Sequence, residues 1–165
     1  MRFGILTVSD RSSRGERPDA SGPALQQAVI TQGWQVLRMQ IVPDDFSVIR
    51  QALLDWSESG DLDIILTTGG TGFSPRDITP EATQAVLERP VPGIVEAMRA
   101  ASLLVTSHAM LSRATAGIRR RTLIVNLPGS PKGAVENLQV ILPVLPHAVA
   151  LLAEDPGAES GHQVK

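Results

Sequence analysis

Short apolar segments, each followed by a polar or glycine-rich loop and then by a helical stripe, constrain the fold of this chain more than any other feature. Residues 3–9, 62–68 and 122–127 are nearly continuous in apolar side chains, which is typical of strands buried on both faces. Residues 34–42 alternate apolar and polar side chains and predict a further strand. The order β-α-β-α-β-α-α-β-α predicts an α/β fold, a three-layer α/β/α sandwich with a mostly parallel central sheet.

The predicted helices begin at recognisable caps. Ser21, Asp45 and Thr79 each stand before a helical pattern and are predicted N-caps. Residues 111–117 fit neither a helix nor a strand period and stay open. Without a repeat or a linker, 165 residues predict one domain over 1–153. The polar end, 154–165, is predicted to be disordered. Further helical patterns cover 46–59, 94–105 and 132–141, and a further apolar segment covers 145–152.

Composition excludes several classes of protein. The absence of cysteine removes thiolate catalysis, iron-sulfur clusters and disulfide scaffolds, and it favours a reducing compartment. A net charge of −2 and only 3% aromatic residues argue against nucleic acid as a partner. No segment is expected to approach the roughly 20 apolar residues of a membrane span, and the N-terminal apolar run is too short for a signal peptide. The predicted location is the cytoplasm.

The loops that follow the predicted strands are the places to look for chemistry. In parallel α/β sheets, ligands bind beyond the carboxyl ends of the strands. The histidines are scattered, and neither a His-Glu-x-x-His nor a Gly-x-Ser-x-Gly sequence occurs. What remains is phosphate and metal chemistry, in which catalysis comes from positioning and charge neutralisation. The loops in question are 10–19, 43–45, 69–77 and 128–132.

The loop 67–72 combines three glycines with three threonines. Bare backbone N–H groups and short hydroxyl donors can form a concave nest that binds anions. It is no Walker loop, because no Gly-Lys-Ser/Thr sequence follows. For an isolated Gly-Gly-x-Gly sequence the simpler interpretation, a turn that needs positive φ, is favoured. The nearby Arg76 and Asp77 favour phosphate binding over this simpler interpretation. The candidate binding residues are Thr68, Gly69, Gly70, Thr71 and Gly72.

Two aspartates follow neighbouring predicted strands. Asp44 and Asp77 would lie at adjacent loop tips, within reach of one divalent cation. Mg²⁺ is the natural candidate because it takes one or two carboxylates together with water and substrate phosphates. Helix capping is the alternative interpretation. For Asp44, capping and metal binding are about equally supported, whereas for Asp45 capping is accepted. Capping explains Asp77 poorly, because it lies two residues before Thr79.

Two more loops carry candidate polar groups. Residues 10–19 contain Asp10, Ser12, Ser13 and Asp19, although a solvated surface loop is the slightly favoured interpretation. The turn of Pro128, Gly129 and Ser130, with Lys132, could present a hydroxyl and an ammonium group to an anion at a helix start. A turn with a helix cap explains it equally well. Ser112 and Arg113 are individually weak signals, and residues 119–121 indicate a solvated or salt-bridging surface.

Taken together, these motifs resemble the molybdopterin adenylyltransferase family. The resemblance covers roughly residues 3–150, and the ordered series is far more specific than any one motif. The motifs are Val8-Ser9-Asp10-Arg11, Asp19-x-Ser21-Gly22-Pro23, Val42-Pro43-Asp44-Asp45, the loop 67–72 with Arg76-Asp77-Ile78-Thr79-Pro80-Glu81, Gly93-x-x-Glu96-Ala97-Met98-Arg99, and Asn126-Leu127-Pro128-Gly129-Ser130-Pro131.

The resemblance implies a magnesium-dependent transfer of AMP from ATP to the terminal phosphate of molybdopterin, with release of pyrophosphate. It implies that Asp44 and Asp77 are the catalytic, metal-holding residues, and that residues 69–72 and the Ser130 loop hold phosphate and pterin. Ser102 and Ser112 would contact the pterin, and Asp19 would contact the nucleotide.

The resemblance also implies a homotrimer, and it leaves metal insertion to a separate protein. Two other functions stay open. The chain could be a non-catalytic molybdopterin-binding protein of the same superfamily, or it could be a nucleotide pyrophosphatase.

Overall fold

A six-stranded sheet organises the chain in the computed structural model, which describes residues 1–158. The order across the sheet is β2-β1-β3-β6-β5-β4. The first four of these strands run parallel, and β5 is antiparallel to both β6 and β4. The predicted mostly parallel sheet is therefore confirmed. The strands are β1 (Arg2–Val8), β2 (Gln35–Val42), β3 (Ile64–Thr68), β4 (Arg89–Pro90), β5 (Ala116–Arg119) and β6 (Thr122–Leu127).

Helices follow the parallel strands and cover both faces of the sheet. Two 3-10 helices, Ser107–Leu111 and Leu142–Val144, complete the described secondary structure. Asp45 caps its helix as predicted, because its Oδ1 accepts the N–H of Val48 at 3.0 Å. The α-helices are α1 (Asp10–Ser13), α2 (Ser21–Thr31), α3 (Phe46–Glu58), α4 (Thr79–Gln84), α5 (Pro92–Leu103), α6 (Pro131–Ile141) and α7 (Leu145–Leu152).

The core consists of two apolar layers on opposite faces of the sheet. Phe3 and Ile5 of β1 pack in the layer that includes residues of α2, α5 and α6, whereas Leu6 packs in the layer that includes residues of α3 and α4. Successive residues of a strand point to opposite faces, so one apolar strand supplies both layers. Each fully buried side chain of this size contributes about 1.5–3 kcal/mol. The predicted three-layer α/β/α sandwich is confirmed.

The structure corrects two of the predicted caps. Thr79 is the first residue of α4 rather than its cap, and its hydroxyl donates to the carbonyl oxygen of Gly69 at 2.9 Å. Ser21 also lies inside its helix. The cap of α2 is supplied by Asp19, whose Oδ1 accepts the N–H groups of Ser21 and Gly22 at 3.0 and 3.1 Å. In both cases the hydroxyl predicted to accept a backbone N–H as a cap instead donates to a neighbouring acceptor, Ser21 to Asp19 Oδ1 at 3.1 Å and Thr79 to the Gly69 carbonyl oxygen.

The sequence patterns missed the hairpin side of the sheet. Residues 111–117, left open between helix and strand, contain the end of a 3-10 helix and the start of β5. The two-residue strand β4 contains Pro90, which sits at the sheet edge where its missing N–H leaves no ladder bond unmade. The strand β2 forms the other edge. Three apolar residues of its alternating pattern, Leu37, Met39 and Ile41, are exposed.

One helical run is longer and more apolar than predicted, since the sequence patterns indicated a helix over 132–141, a separate apolar segment over 145–152 and no stretch of membrane-spanning length. Pro131–Leu152 is long and apolar enough, by length and composition, to cross a membrane. Within the fold, however, the buried side chains of Ala134, Leu138, Ile141 and Leu145 pack this run into the core. At the end of the chain, Glu154 forms an ion pair with Arg121 at 3.3 Å. The remainder of the tail that was predicted to be disordered, 159–165, lies outside the described residues.

Candidate functional site

The carboxyl ends of β1, β3 and β6 open into a cavity of about 690 Å³, called here the carboxylate cavity. It brings together loops that are far apart in sequence, as expected at the carboxyl edge of a parallel sheet. Both aspartates predicted to hold a metal line it. Its lining consists of Thr7, Val8, Ser9, Arg17, Pro18, Asp19, Ala20, Ser21, Asp44, Thr68, Gly69, Gly70, Asp77, Gly129, Ser130 and Pro131.

A second cavity of about 300 Å³, called here the serine cavity, lies between the glycine loop, α5, α6 and the 3-10 helix Ser107–Leu111. Its lining includes Ser102 and Ser112, the two predicted pterin contacts, with Thr71, Gly72 and Pro128. Apolar side chains of α5, among them Val95 and Met98, form part of its wall. Ser130 lines both cavities, so the two adjoin at this residue.

Asp44 and Asp77 lie against the same glycine turn. A Cβ atom added to Gly70 would lie 3.1 Å from Asp44 Oδ1, and one added to Gly72 would lie 2.9 Å from Asp77 Oδ2. The pKa of Asp44 is raised, first by burial and then by the negative charges of Asp10 and Asp77. A cation held between the two carboxylates would relieve this repulsion. The predicted proximity of the two aspartates is thus present.

Asp10 and Asp44 hold each other through reciprocal hydrogen bonds. The Asp10 N–H donates to Asp44 Oδ2 at 2.8 Å, and the Asp44 N–H donates to Asp10 Oδ1 at 3.0 Å. Arg76 donates from Nε and Nη2 to Asp10 Oδ2, at 3.0 and 2.6 Å. Burial acts to raise the pKa of Asp10, but the hydrogen bonds from Arg76 and the Asp44 N–H outweigh it and lower that pKa. Asp10 therefore positions Asp44 and does not line either cavity.

The glycine turn needs its glycines for the backbone. Gly69 and Gly70 have φ of +102° and +65°, and a Cβ at Gly69 would collide with the carbonyl oxygen of Val8. The Thr79 N–H closes the turn on the carbonyl oxygen of Gly70 at 3.1 Å. Thr68 donates its hydroxyl to the carbonyl oxygen of Pro128 at 2.7 Å and ties two loops together. The simpler interpretation of the glycines holds, and the same turn also lines the carboxylate cavity.

Three predicted binding residues have structural partners or lie outside the cavities. Ser12 is buried in α1, and its Oγ has no hydrogen-bond partner among the described residues. Ser13 donates its hydroxyl to the carbonyl oxygen of Asp10 at 2.9 Å. Asp19 lines the carboxylate cavity, but its carboxylate also accepts from the Thr7 hydroxyl at 2.7 Å and caps α2. Contact of Asp10, Ser12 and Ser13 with substrate stays a prediction.

Several residues near the cavities escaped the sequence motifs. Arg17 adds a positive charge to the carboxylate cavity. Asn137 lines the serine cavity and donates from Nδ2 to Ser102 Oγ at 3.1 Å, so it orients that hydroxyl. Arg99, which belongs to the motif 93–99 but was given no role there, lines the same cavity and donates to the carbonyl oxygen of Ser112 at 3.1 Å. Arg17 stands in a polar loop already singled out, whereas Asn137 on α6 gave no local signal.

The donor set suits a hard divalent cation. Within residues 1–158, no group of three or more His, Cys, Asp or Glu side chains is arranged to hold a metal ion. Two carboxylates that share a cavity with a glycine turn still match the usual Mg²⁺ arrangement, in which water and substrate phosphates complete the coordination. Asp44 and Asp77 would hold the ion, and the cavity leaves room beside them for a phosphate chain.

Comparison with known proteins adds a family to this geometry. Residues 4–147 match the family described as "Probable molybdopterin binding domain". A molybdopterin adenylyltransferase of Helicobacter pylori (strain ATCC 700392 / 26695) is 41% identical over 154 residues, which cover 92% of this chain and 88% of that protein. The solved structure of the molybdopterin biosynthesis enzyme MoaB from Thermus thermophilus has a TM-score of 0.88 and 51% identity, covering 94% of this chain and 98% of its own.

Longer relatives share the same region. Gephyrin of Dictyostelium discoideum is 45% identical over 163 residues, which cover 93% of this chain but only 23% of gephyrin. Cinnamon of Drosophila melanogaster is likewise 45% identical, and this chain spans 26% of its length. The match over most of the chain confirms the resemblance found in the sequence motifs. The chain belongs to the family of the probable molybdopterin binding domain.

Proposed function

We propose that this protein takes part in molybdenum cofactor biosynthesis as a molybdopterin adenylyltransferase. It would transfer AMP from ATP to the terminal phosphate of molybdopterin and release pyrophosphate. One observation carries the proposal: a carboxylate-lined cavity and a serine-lined cavity adjoin at Ser130. Such a pair can hold two phosphorylated substrates with their phosphates in contact. Relatives named molybdopterin adenylyltransferase, 40–41% identical to this chain, support the same activity.

The carboxylate cavity would hold ATP. Asp44 and Asp77 would hold Mg²⁺, which when bound neutralises charge that develops on the leaving pyrophosphate. The Gly69 N–H is engaged by the carbonyl oxygen of Leu127, so the backbone N–H of Gly70 and the guanidinium of Arg17 would contact the phosphate chain. The Asp10 N–H would keep the Asp44 carboxylate in place, and Arg76 would hold Asp10.

The serine cavity would hold the pterin. Ser102, oriented by Asn137, and Ser112 offer polar contacts, and the apolar side chains of α5 offer a surface for the ring. Ser130 caps α6 by accepting the Gly133 N–H at 3.2 Å, and it stands where the two cavities adjoin. A terminal phosphate oxygen of molybdopterin would form the new bond to the α-phosphorus, and the bond from that phosphorus to pyrophosphate would break.

An assay with omissions tests the proposed function. Purified protein is incubated with molybdopterin, ATP and Mg²⁺, and each component is left out in turn. We expect an AMP adduct of the pterin only when all three are present. ATP hydrolysis without the pterin would instead indicate a nucleotide pyrophosphatase. Pterin binding without turnover would indicate a non-catalytic molybdopterin-binding protein.

The family resemblance also motivates proposals on assembly, partners and location. We propose a homotrimer in the cytoplasm, with metal insertion carried out by a separate protein and with no part for nucleic acid or a membrane. Exposed apolar side chains on β2 and on residues 103–111 offer surfaces through which copies of the chain could associate.

A further inference from the structure

Arg113 stands between the 3-10 helix Ser107–Leu111 and β5, and it reaches across to the loop that carries Asp77. Its backbone N–H donates to the carbonyl oxygen of Thr71 at 2.9 Å. Its Nε donates to the carbonyl oxygen of Gly72 at 2.7 Å, and its Nη2 donates to the carbonyl oxygen of Asp77. A single residue thus binds both ends of the segment 72–77, called here the Asp77 loop.

Besides Arg113, the Asp77 loop is attached to another element through its own Arg76, whose guanidinium donates to Asp10 Oδ2 at 3.0 and 2.6 Å. Residues 73–76 are exposed, and Phe73 keeps 66% of its surface accessible. Inside the loop, the Ser74 N–H donates to Asp77 Oδ2 at 3.0 Å, and the Asp77 N–H donates to the carbonyl oxygen of Ser74 at 2.8 Å. These bonds shape the loop but do not attach it to the sheet. Because apolar burial is small, the position of the Asp77 carboxylate depends on polar tethers from other elements.

Arg113 also connects the two cavities. Its neighbour Ser112 lines the serine cavity, and the carbonyl oxygen of Ser112 accepts from Arg99, which lines that cavity as well. On its other side, the Arg113 guanidinium ends on the loop that contributes Asp77 to the carboxylate cavity. Besides Ser130, which lines both cavities, the Arg113 side chain therefore provides a second connection between their walls.

We propose that Arg113 is a positioning residue that holds Asp77 in the carboxylate cavity and ties it to the wall of the serine cavity. The planar guanidinium explains why arginine is needed: its donors form a fork that can bind two carbonyl oxygens and the Glu81 carboxylate together. A lysine ammonium cannot span the same acceptors in one plane. The consequence for catalysis rests on the proposed function, whereas the tethering of the loop does not.

The first measurement is hydrogen exchange of the peptide 69–79, followed by mass spectrometry. Arg113→Ala and Arg113→Lys should both raise the exchange rate of this peptide about tenfold, because the open state becomes more populated. Arg38→Ala is the matched control. Arg38 pairs with Asp61 at 2.7 Å, and its side chain is 33% exposed against 35% for Arg113. Its removal should leave the exchange of this peptide unchanged.

The second measurement is the AMP-transfer assay as a function of Mg²⁺ concentration. For Arg113→Ala and Arg113→Lys we expect kcat to fall at least tenfold and the half-saturating Mg²⁺ concentration to rise. The KM for molybdopterin should change less than threefold, since the serine cavity keeps its own side chains. Arg38→Ala should keep all three values.

The outcomes separate the inference from the function on which it partly rests. Unchanged exchange in Arg113→Ala would overturn the tethering role. Faster exchange with normal kcat and normal Mg²⁺ dependence would overturn the link from loop position to catalysis. Full activity of Arg113→Lys would show that charge alone suffices and would overturn the fork. If the unaltered protein forms no AMP adduct, the proposed function fails, while the exchange result still decides the tether.

Discussion

Asp77 is the residue whose charge most directly tests the proposed metal site. Asp77→Asn keeps the shape of the side chain and an oxygen that can accept the Ser74 N–H, so the loop should keep its fold. The lost charge should lower kcat about 100-fold, comparable to removing one electrostatic contact in other enzymes. Molybdopterin affinity should change little, because Asp77 does not line the serine cavity. Steady-state kinetics and pterin titration measure both.

Asp45→Asn is the control for this substitution. Asp45 is adjacent in sequence to Asp44, but it caps α3 and lines neither cavity. Asparagine caps helices about as well as aspartate, so stability and turnover should stay near those of the unaltered protein. Equal loss of turnover and pterin affinity in Asp77→Asn would assign Asp77 to the fold instead of the metal site.

Asp63 supplies a pH-dependent contribution to stability away from both cavities. Its carboxylate accepts the Arg2 N–H at 2.7 Å and the guanidinium of Arg2 at 2.6 Å. Burial acts to raise the pKa of Asp63, but the hydrogen bonds and charge of Arg2 outweigh it and hold that pKa below its ordinary value. A lowered folded-state pKa stabilises the protein above the unfolded pKa of about 3.9, and this stability is lost as the pH falls through the folded value.

We therefore expect Asp63→Asn to lower the free energy of unfolding by about 1 kcal/mol at pH 7, discounted because Arg2 is 44% exposed. The difference from the unaltered protein should shrink as the pH falls below about 4. Urea unfolding at several pH values measures it. A constant difference across this range would contradict the assigned ion pair.

At the residue scale, the sequence predicted the site residues whose position follows directly from where a strand ends. Asp44 and Asp77 follow strands β2 and β3, which flank β1 instead of being adjacent in the sheet as predicted, but the carboxyl edge of the parallel sheet still brings both into one cavity. Arg113 could not be assigned in this way. Its acceptors, the carbonyl oxygens of Gly72 and Asp77, precede it by 41 and 36 residues. A contact between a side chain and distant backbone atoms leaves no periodic signal in the sequence.

At the scale of elements, the glycine turn after β3 combines backbone strain with close contact. Gly70 and Gly33 have φ of +65° and +75°, so alanine is strained at both positions. A Cβ at Gly33 meets nothing within 4 Å among the described residues, whereas one at Gly70 would strike the Thr79 hydroxyl and approach Asp44. The two glycines thus form a pair in which only one is crowded.

Gly33→Ala should lower the free energy of unfolding by about 1 kcal/mol and leave turnover unchanged. Gly70→Ala should cost about 2–4 kcal/mol, since displacement of Thr79 and Asp44 adds to the strain. It should also reduce AMP transfer, because it disturbs the position of Asp44. Thermal or urea unfolding and the adduct assay test this. Equal effects of the two substitutions would show that crowding at Gly70 does not matter.

Elements with a strong period were predicted well, and short elements were not. The strand β6 begins and ends at the predicted residues, 122–127, and the apolar segment predicted over 145–152 coincides with α7. The hairpin partners β4 and β5 have only two and four residues, too few for an alternating pattern to appear. Their pairing depends on the sheet that β6 already forms. Tertiary contacts, and not local sequence preference, therefore determine where these two strands form.

At the scale of the whole molecule, the proposed trimer needs two different apolar surfaces. A closed ring of three copies uses a head-to-tail contact, in which one surface of each copy meets another surface of the next. The strand β2 forms one edge of the sheet, and β4 forms the other. The segment 103–111 follows α5, which packs against β5 on the side of the β4 edge. The exposed side chains are Leu37, Met39 and Ile41 on β2, and Leu103, Leu104, Val105, Met110 and Leu111 on the segment.

Light scattering after size exclusion should give the unaltered protein a mass of three times the 17.6 kDa chain. Met39→Lys and Leu104→Lys each place a charge on one of the two surfaces, at side chains that are 41% and 91% exposed, so each variant should fold and run as a single chain. When the two variants are mixed, each supplies the surface that the other lacks. One head-to-tail contact can then form, and the mixture should yield dimers that cannot close into a ring. A single-chain mass for the unaltered protein would contradict the trimer. The pairing of these two surfaces would be contradicted if the variants remained trimeric or if their mixture formed no dimers.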